Sequence, residues 1–180
     1  MSLRTSTFSY ALLGLIEQQP LSGYDLRKLF SATPLATMSD SPGAIYPALK
    51  RLERKGLISG RIEGAGLRPR RVFRLTPRGL AELKKWLLQP VTRDDLVHRT
   101  DELILRFGFT SRVLGKEGAL GFLHGLEREL GFYIPELKRF LGAQPRMPAS
   151  GRLAVELGIQ SYALLRRWTK RAATAVKQES

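Results

Sequence analysis

The sequence contains no cysteine, which excludes disulfides, thiol nucleophiles and cysteine-bound zinc. Histidine is nearly as scarce: His98 and His124 stand alone, without the spacing of a metal site, so neither a metal nor a cofactor is expected. No apolar run approaches the roughly 18 residues that cross a bilayer, the longest near the start being Tyr10 to Ile16, and no membrane partner is expected. The amino terminus lacks the charged, then apolar, then small layout of a secretory leader, and a cytoplasmic protein is the simplest fit. No nucleophile–base pair is visible. Gly64-Ala-Gly66-Leu-Arg-Pro69 is superficially like a phosphate-binding loop, but it lacks the third glycine and leads into a strand instead of a helix. An enzyme is not expected.

Acidic residues are also few. Sixteen Asp and Glu face thirty Lys and Arg, a formal charge of +14. Splitting the chain after Pro90 leaves +9 in the first half and +5 in the second, and residues 50–85 alone hold twelve cations against three Glu. Such a balance favours nucleic acid or an anionic surface as partner, although a charge run is also how a solvated face looks. At 43% hydrophobic residues with clear periodicity, the 180-residue chain should fold as one domain or two small ones.

The stretch Ser41 to Thr76 concentrates the signal. Ser41 can cap a helix and Pro42 suits its first position, where a missing N–H has no intrahelical role. Ile45, Leu49 and Leu52 share one side with Ala44 and Ala48, while Gly43, Pro47, Lys50, Arg51 and Arg54 take the other. Gly56 is placed to end the helix in the left-handed region, with Leu57 beyond it. Pro47 either bends the helix one turn in or sits in the first turn of a shorter one. A two-stranded hairpin should follow, Leu57, Ile58 and Ile62 making the first strand and Arg70 to Leu75 the return. A helix followed by a basic hairpin is a winged helix-turn-helix arrangement.

Before it, Thr5 to Gln19 reads as a first helix on Phe8, Leu12, Leu15 and Ile16. Ser22-Gly23-Tyr24-Asp25 reads as a capping box opening a second helix, closed by Pro34. After it, Thr76-Pro77 opens a fourth helix on Leu80, Leu83 and Leu87 that ends at Pro90. The strings Tyr10-Ala-Leu-Leu-Gly-Leu-Ile, Ser22-Gly-Tyr-Asp-Leu, Gly43-Ala-Ile-Tyr-Pro-Ala-Leu-Lys-Arg-Leu-Glu-Arg-Lys-Gly-Leu-Ile and Arg70-Arg-Val-Phe-Arg-Leu-Thr-Pro-Arg-Gly resemble, in order and spacing, the PadR family of bacterial transcriptional regulators. The resemblance covers nearly all of the first 90 residues. It implies a winged helix-turn-helix domain, a homodimer, and usually repression relieved by a small effector, in the family's longer branch.

The fold expected is therefore mainly α: a DNA-binding domain over 1–90 and a helical dimerisation domain over 91–180. Val91 to Thr100 is polar and charged and marks the boundary. Ala119, Leu123, Leu126, Leu130, Tyr133, Leu137 and Phe140 are spaced alternately four and three apart, a heptad seam that wants a partner helix. Gly121, Gly125, Gly131 and Pro135 should weaken or bend it. A last helix from Ser150 to about Val176 is apolar on more than one side, with Leu153, Leu157, Leu164 and Trp168 but also Val155, Ile159 and Tyr162. That is more than so small a unit can bury alone, and dimerisation through the tail resolves it.

The expected partner is double-stranded DNA, a near-palindromic operator with half-sites about one helical turn apart. Lys50, nearest the helix start, is the base-edge candidate, and Arg51 and Arg54 are phosphate contacts. Tyr46 either donates to phosphate or packs half-buried. Arg68, Arg70 and Arg71 belong to the wing, with Arg71 alternatively structural because it shares a face with Phe73. Ser22 and Tyr24 either present donors to phosphate or simply cap a helix. Trp86, Tyr133, Phe140, Tyr162 and Trp168 line a small aromatic effector pocket or are core. The competing reading of the whole is a winged-helix module that docks on another protein.

Overall fold

The computed structural model describes residues 6–33, 35, 41–63 and 69–179. Arg68, the turn at 64–68, Pro34 and Thr5 lie outside the described residues. The chain divides into two compact units, Met1–Trp86 and Leu87–Ser180.

In the first unit, α1 runs Thr7–Gln18, with Ser6 as its cap accepting from the Ser9 N–H at 3.3 Å. Residues 9 to 16 of α1 are all buried, so this helix is surrounded on more than the one side that a stripe of four apolar residues indicates. β1, Leu21–Ser22, leads directly into α2, Gly23–Ser31. α3 spans Pro42–Arg54, β2 Ile58–Glu63, β3 Arg70–Leu75 and α4 Pro77–Leu87. The hairpin is one part of a three-stranded antiparallel sheet ordered β1-β3-β2, in which Leu21 pairs with Phe73 and Ser22 with Val72. A two-residue strand pressed against a helix cap carries no alternation, so nothing in the sequence marks it.

The core beneath α3 is built from Leu12, Leu26, Phe30, Ile45, Leu49 and Leu52, all at most 2% exposed. Tyr10 stacks on Trp86 at 4.5 Å between centroids and donates its hydroxyl to Glu82 at 2.9 Å, tying α1 to α4. α3 ends as its sequence requires. Gly56 takes φ 69°, its N–H donates to the Glu53 carbonyl at 2.8 Å, and the Leu57 N–H returns to the Leu52 carbonyl at 3.0 Å. Leu57 then receives α4: its carbonyl accepts from both the N–H and the hydroxyl of Thr76, each at 3.1 Å. Thr76 in turn caps α4 by accepting from the Gly79 N–H at 2.9 Å. A Cβ at Gly79 would lie 1.9 Å from the Leu57 oxygen, so only glycine permits this approach.

In the second unit, the polar stretch read as the domain boundary holds a short helix, α5, Arg93–His98, capped by a Thr92–Asp95 box. α6 runs Thr100–Gly142 and α7 Ala149–Gln178. α6 leaves helical geometry at Gly115, where φ is 72°, while Gly121, Gly125, Gly131 and Pro135 all stay within the helix. α6 and α7 form an antiparallel pair: Leu123 packs with Val176, and Leu130 and Ile134 lie in one cluster with Ile159 and Tyr162. The seam is thus filled from within the chain over Leu123, Leu126 and Leu130, each at most 1% exposed, because α7 turns back and lies along it. Leu137 is half-buried, and Phe140 is 50% exposed. On α7, Leu153, Leu157 and Leu164 point outward, at least 60% exposed. Arg106 is buried, donating to the Gln89 carbonyl with its guanidinium 5.3 Å from the Phe122 ring centroid. Burial holds its pKa below the usual arginine range.

Candidate nucleic-acid interface

The outer surface of α3 is what its sequence pattern dictates. Ile45, Ala48, Leu49 and Leu52 go inward, and Gly43, Tyr46, Pro47, Lys50, Arg51 and Arg54 are exposed. Ser41 caps the start by accepting from the Ala44 N–H at 3.2 Å. Pro47 lies inside the regular helix, one turn in, where it leaves the Gly43 carbonyl without its usual donor. Among the described residues, Lys50, Arg51 and Arg54 make neither an ion pair nor a hydrogen bond to an acid. Glu53, the one acid on α3, is engaged elsewhere. Its Oε1 and Oε2 accept from Arg71 Nη2 at 2.8 and 3.0 Å.

The wing lies beside this helix. Arg70 is exposed and its guanidinium stands 5.9 Å from the centroid of Tyr24, which Arg27 approaches at 6.0 Å. Arg74 pairs with Glu63 within the wing. Tyr24, Tyr46, Lys50, Arg54, Arg70 and Arg71 line a recess of about 870 Å³ between the α2 start, α3 and β3. A groove bounded by cations and two phenols suits a polyanionic backbone, with the helix alongside free to reach base edges.

Ser22 takes the capping role of its two readings. It is 4% exposed, donates its hydroxyl to Asp25 Oδ2 at 2.6 Å and accepts from the Asp25 N–H at 3.2 Å. That hydroxyl bond first, and the Ser22 N–H second among the favourable contacts, holds the Asp25 carboxyl below its ordinary range. Tyr24, 54% exposed, remains on the surface. Glu53 escaped sequence reasoning. The available signal was its isolation, as the lone acid between Lys50 and Ile62.

The five aromatics read as an effector pocket or as core divide between the two units. Trp86 is buried in the first unit against Tyr10. In the second, Tyr133 and Tyr162 meet edge to face at 5.0 Å, with Arg93 4.5 Å from the Tyr133 centroid. Trp168 packs edge to face on Phe107 at 5.3 Å. Burial raises the Tyr162 phenol above its ordinary pKa. Among the described residues there is no group of His, Asp and Glu able to hold a metal ion, and no helix is long and apolar enough to cross a membrane.

Residues 12–85, from within α1 to within α4, match the Transcriptional regulator PadR-like family. This is a PadR-like domain. Over 121 residues the chain is 33% identical to the negative transcriptional regulator PadR of Bacillus subtilis (strain 168), a match spanning 66% of this chain and 65% of that protein. Among solved structures, Bacillus subtilis PadR in complex with operator DNA is 23% identical, covering 95% of this chain and 99% of that one, with a TM-score of 0.44. A PadR-like transcriptional regulator from Bacillus cereus is 22% identical over 96% and 99%, with a TM-score of 0.42. The matched PadR-like region contains every described cation of α3 and the wing.

Proposed function

We propose that the protein is a sequence-specific, DNA-binding transcriptional repressor, acting in the cytoplasm as a homodimer and released by a small aromatic effector. The observation that carries this reading is the exposed cationic face of α3, on which Lys50, Arg51 and Arg54 have no acid to neutralise them among the described residues. A solvated face on an ordinary domain would mix signs, whereas here the single acid is drawn away to the wing. The likeness to a negative transcriptional regulator over two-thirds of the chain supports repression. In this reading residues 1–90 bind DNA and 91–180 dimerise, with Leu157, Leu164 and Phe140 contributing apolar surface that the single chain leaves open. Two α3 helices related by a twofold axis enter successive major grooves, which is what makes the operator near-palindromic. Tyr133 and Tyr162 are the aromatic surface proposed for the effector.

Electrophoretic retention of sheared genomic DNA tests this directly. Binding should weaken steeply as salt rises, since each phosphate neutralised releases counterions. Selecting and sequencing bound fragments should return one inverted-repeat motif. Retention that ignores salt, or no retention, would instead favour a module docking on another protein.

A further inference from the structure

We propose that Glu53 is a positioning residue for DNA recognition: its carboxylate fixes the wing against the recognition helix and withholds Arg71 from phosphate. This rests on the DNA-binding reading above.

Three elements meet at this one carboxylate. Glu53 comes from α3. Its Oε1 accepts from the Gly60 N–H of β2 at 3.0 Å and from Arg71 Nη2 of β3 at 2.8 Å, while Oε2 accepts from the same Nη2 at 3.0 Å. The room exists because residue 60 has no side chain. A Cβ there would lie 2.6 Å from Arg71 Nε, 2.9 Å from the Phe73 ring and 3.0 Å from Glu53 Oε1. Arg71 is further held with its guanidinium 5.6 Å from the Phe73 centroid.

The arrangement does two things to a polyanion. It sets a carboxylate into the lining of the recess that also holds Lys50 and Arg54, paired to Arg71 and not to them. It also ties one wing cation to the helix, although that side chain is 57% exposed and would otherwise be free to collect any phosphate. Both effects lower affinity for duplex in general, while the fixed angle between helix and wing favours the duplex that fits. Glu53 therefore trades affinity for discrimination.

The test uses the full-length protein, the duplex recovered by wild-type selection, and a random duplex of equal length. Glu53→Gln keeps an acceptor for Gly60 but removes the charge. It should bind random duplex about 3–10-fold more tightly at low salt, with the slope of log K against log salt steeper by about 0.9, one added phosphate contact. Its preference for the selected duplex over the random one should fall. Arg71→Gln should leave the random-duplex slope unchanged, and in Glu53→Gln/Arg71→Gln the gain should vanish. A merely structural carboxylate would give the opposite sign, with both single variants binding all DNA more weakly at an unchanged slope, and would overturn the inference. Wild-type protein without salt-sensitive retention would overturn the DNA reading itself, and this inference with it.

Discussion

In the DNA-binding reading proposed above, Lys50 is the residue of readout and Arg70 the residue of grip. Lys50 projects from the exposed side of α3, and Arg70 stands on the wing. Lys50→Ala is expected to cost on the order of 1–3 kcal/mol on the selected operator and little on random duplex. Equal losses on both would remove its base-reading role. Arg70→Ala should weaken binding to every sequence alike. Asp25 makes a separate prediction about acid. Its folded pKa lies below the ordinary 3.8, so its contribution to stability is complete above that value and is lost as pH falls through the folded one. Asp25→Asn should therefore differ most from wild type near neutrality and converge with it in strong acid, as followed by chemical denaturation at a series of pH values. The α3 cations were legible as residues because helical spacing alone assigns them to one side. The capture of Arg71 by Glu53 was not, since a contact 18 positions apart depends on the strands between them.

At the scale of elements, local chemistry announced most boundaries. Ser41-Pro42, Thr76-Pro77 and Gly56-Leu57 each carry their cap or stop in the residue types themselves, and each acts as written. Gly56→Ala should lower stability by about 1–2 kcal/mol, because a Cβ resists the left-handed conformation there, and thermal melting would record it. Two elements escaped. β1 has two residues and exists only because β3 lies beside it. α5 has six, within a stretch whose polarity reads as a domain boundary although Thr92 and Asp95 form a complete capping box. Both are set by neighbours or by caps rather than by periodicity. The α6 seam shows a third limit: heptad spacing reveals that a helix needs a partner without saying whose, and over Leu123 to Leu130 the partner is α7.

At the scale of the whole molecule, the outer face of α7 remains uncovered in the single chain. Leu153, Leu157 and Leu164 are spaced to share one side, and each is at least 60% exposed. A paired variant, Leu157→Glu with Leu164→Glu, should sediment as monomer while keeping its helical circular dichroism, since neither side chain supports the α6–α7 core. It should also lose tight binding to a two-half-site operator, because each protomer alone grips half as many phosphates. A dimer that survives both substitutions would place the self-association surface elsewhere.

The Leu57 carbonyl gives the first unit a mechanical property. The stop of α3, the root of the wing and the opening of α4 converge within a few ångströms on that one oxygen, and Gly79 is shaved to backbone to let them do so. A twist applied to α4 would reach α3 and the wing through Leu57 and Gly79, which in the DNA-binding reading makes these two residues the gearing between α4 and the grip on an operator.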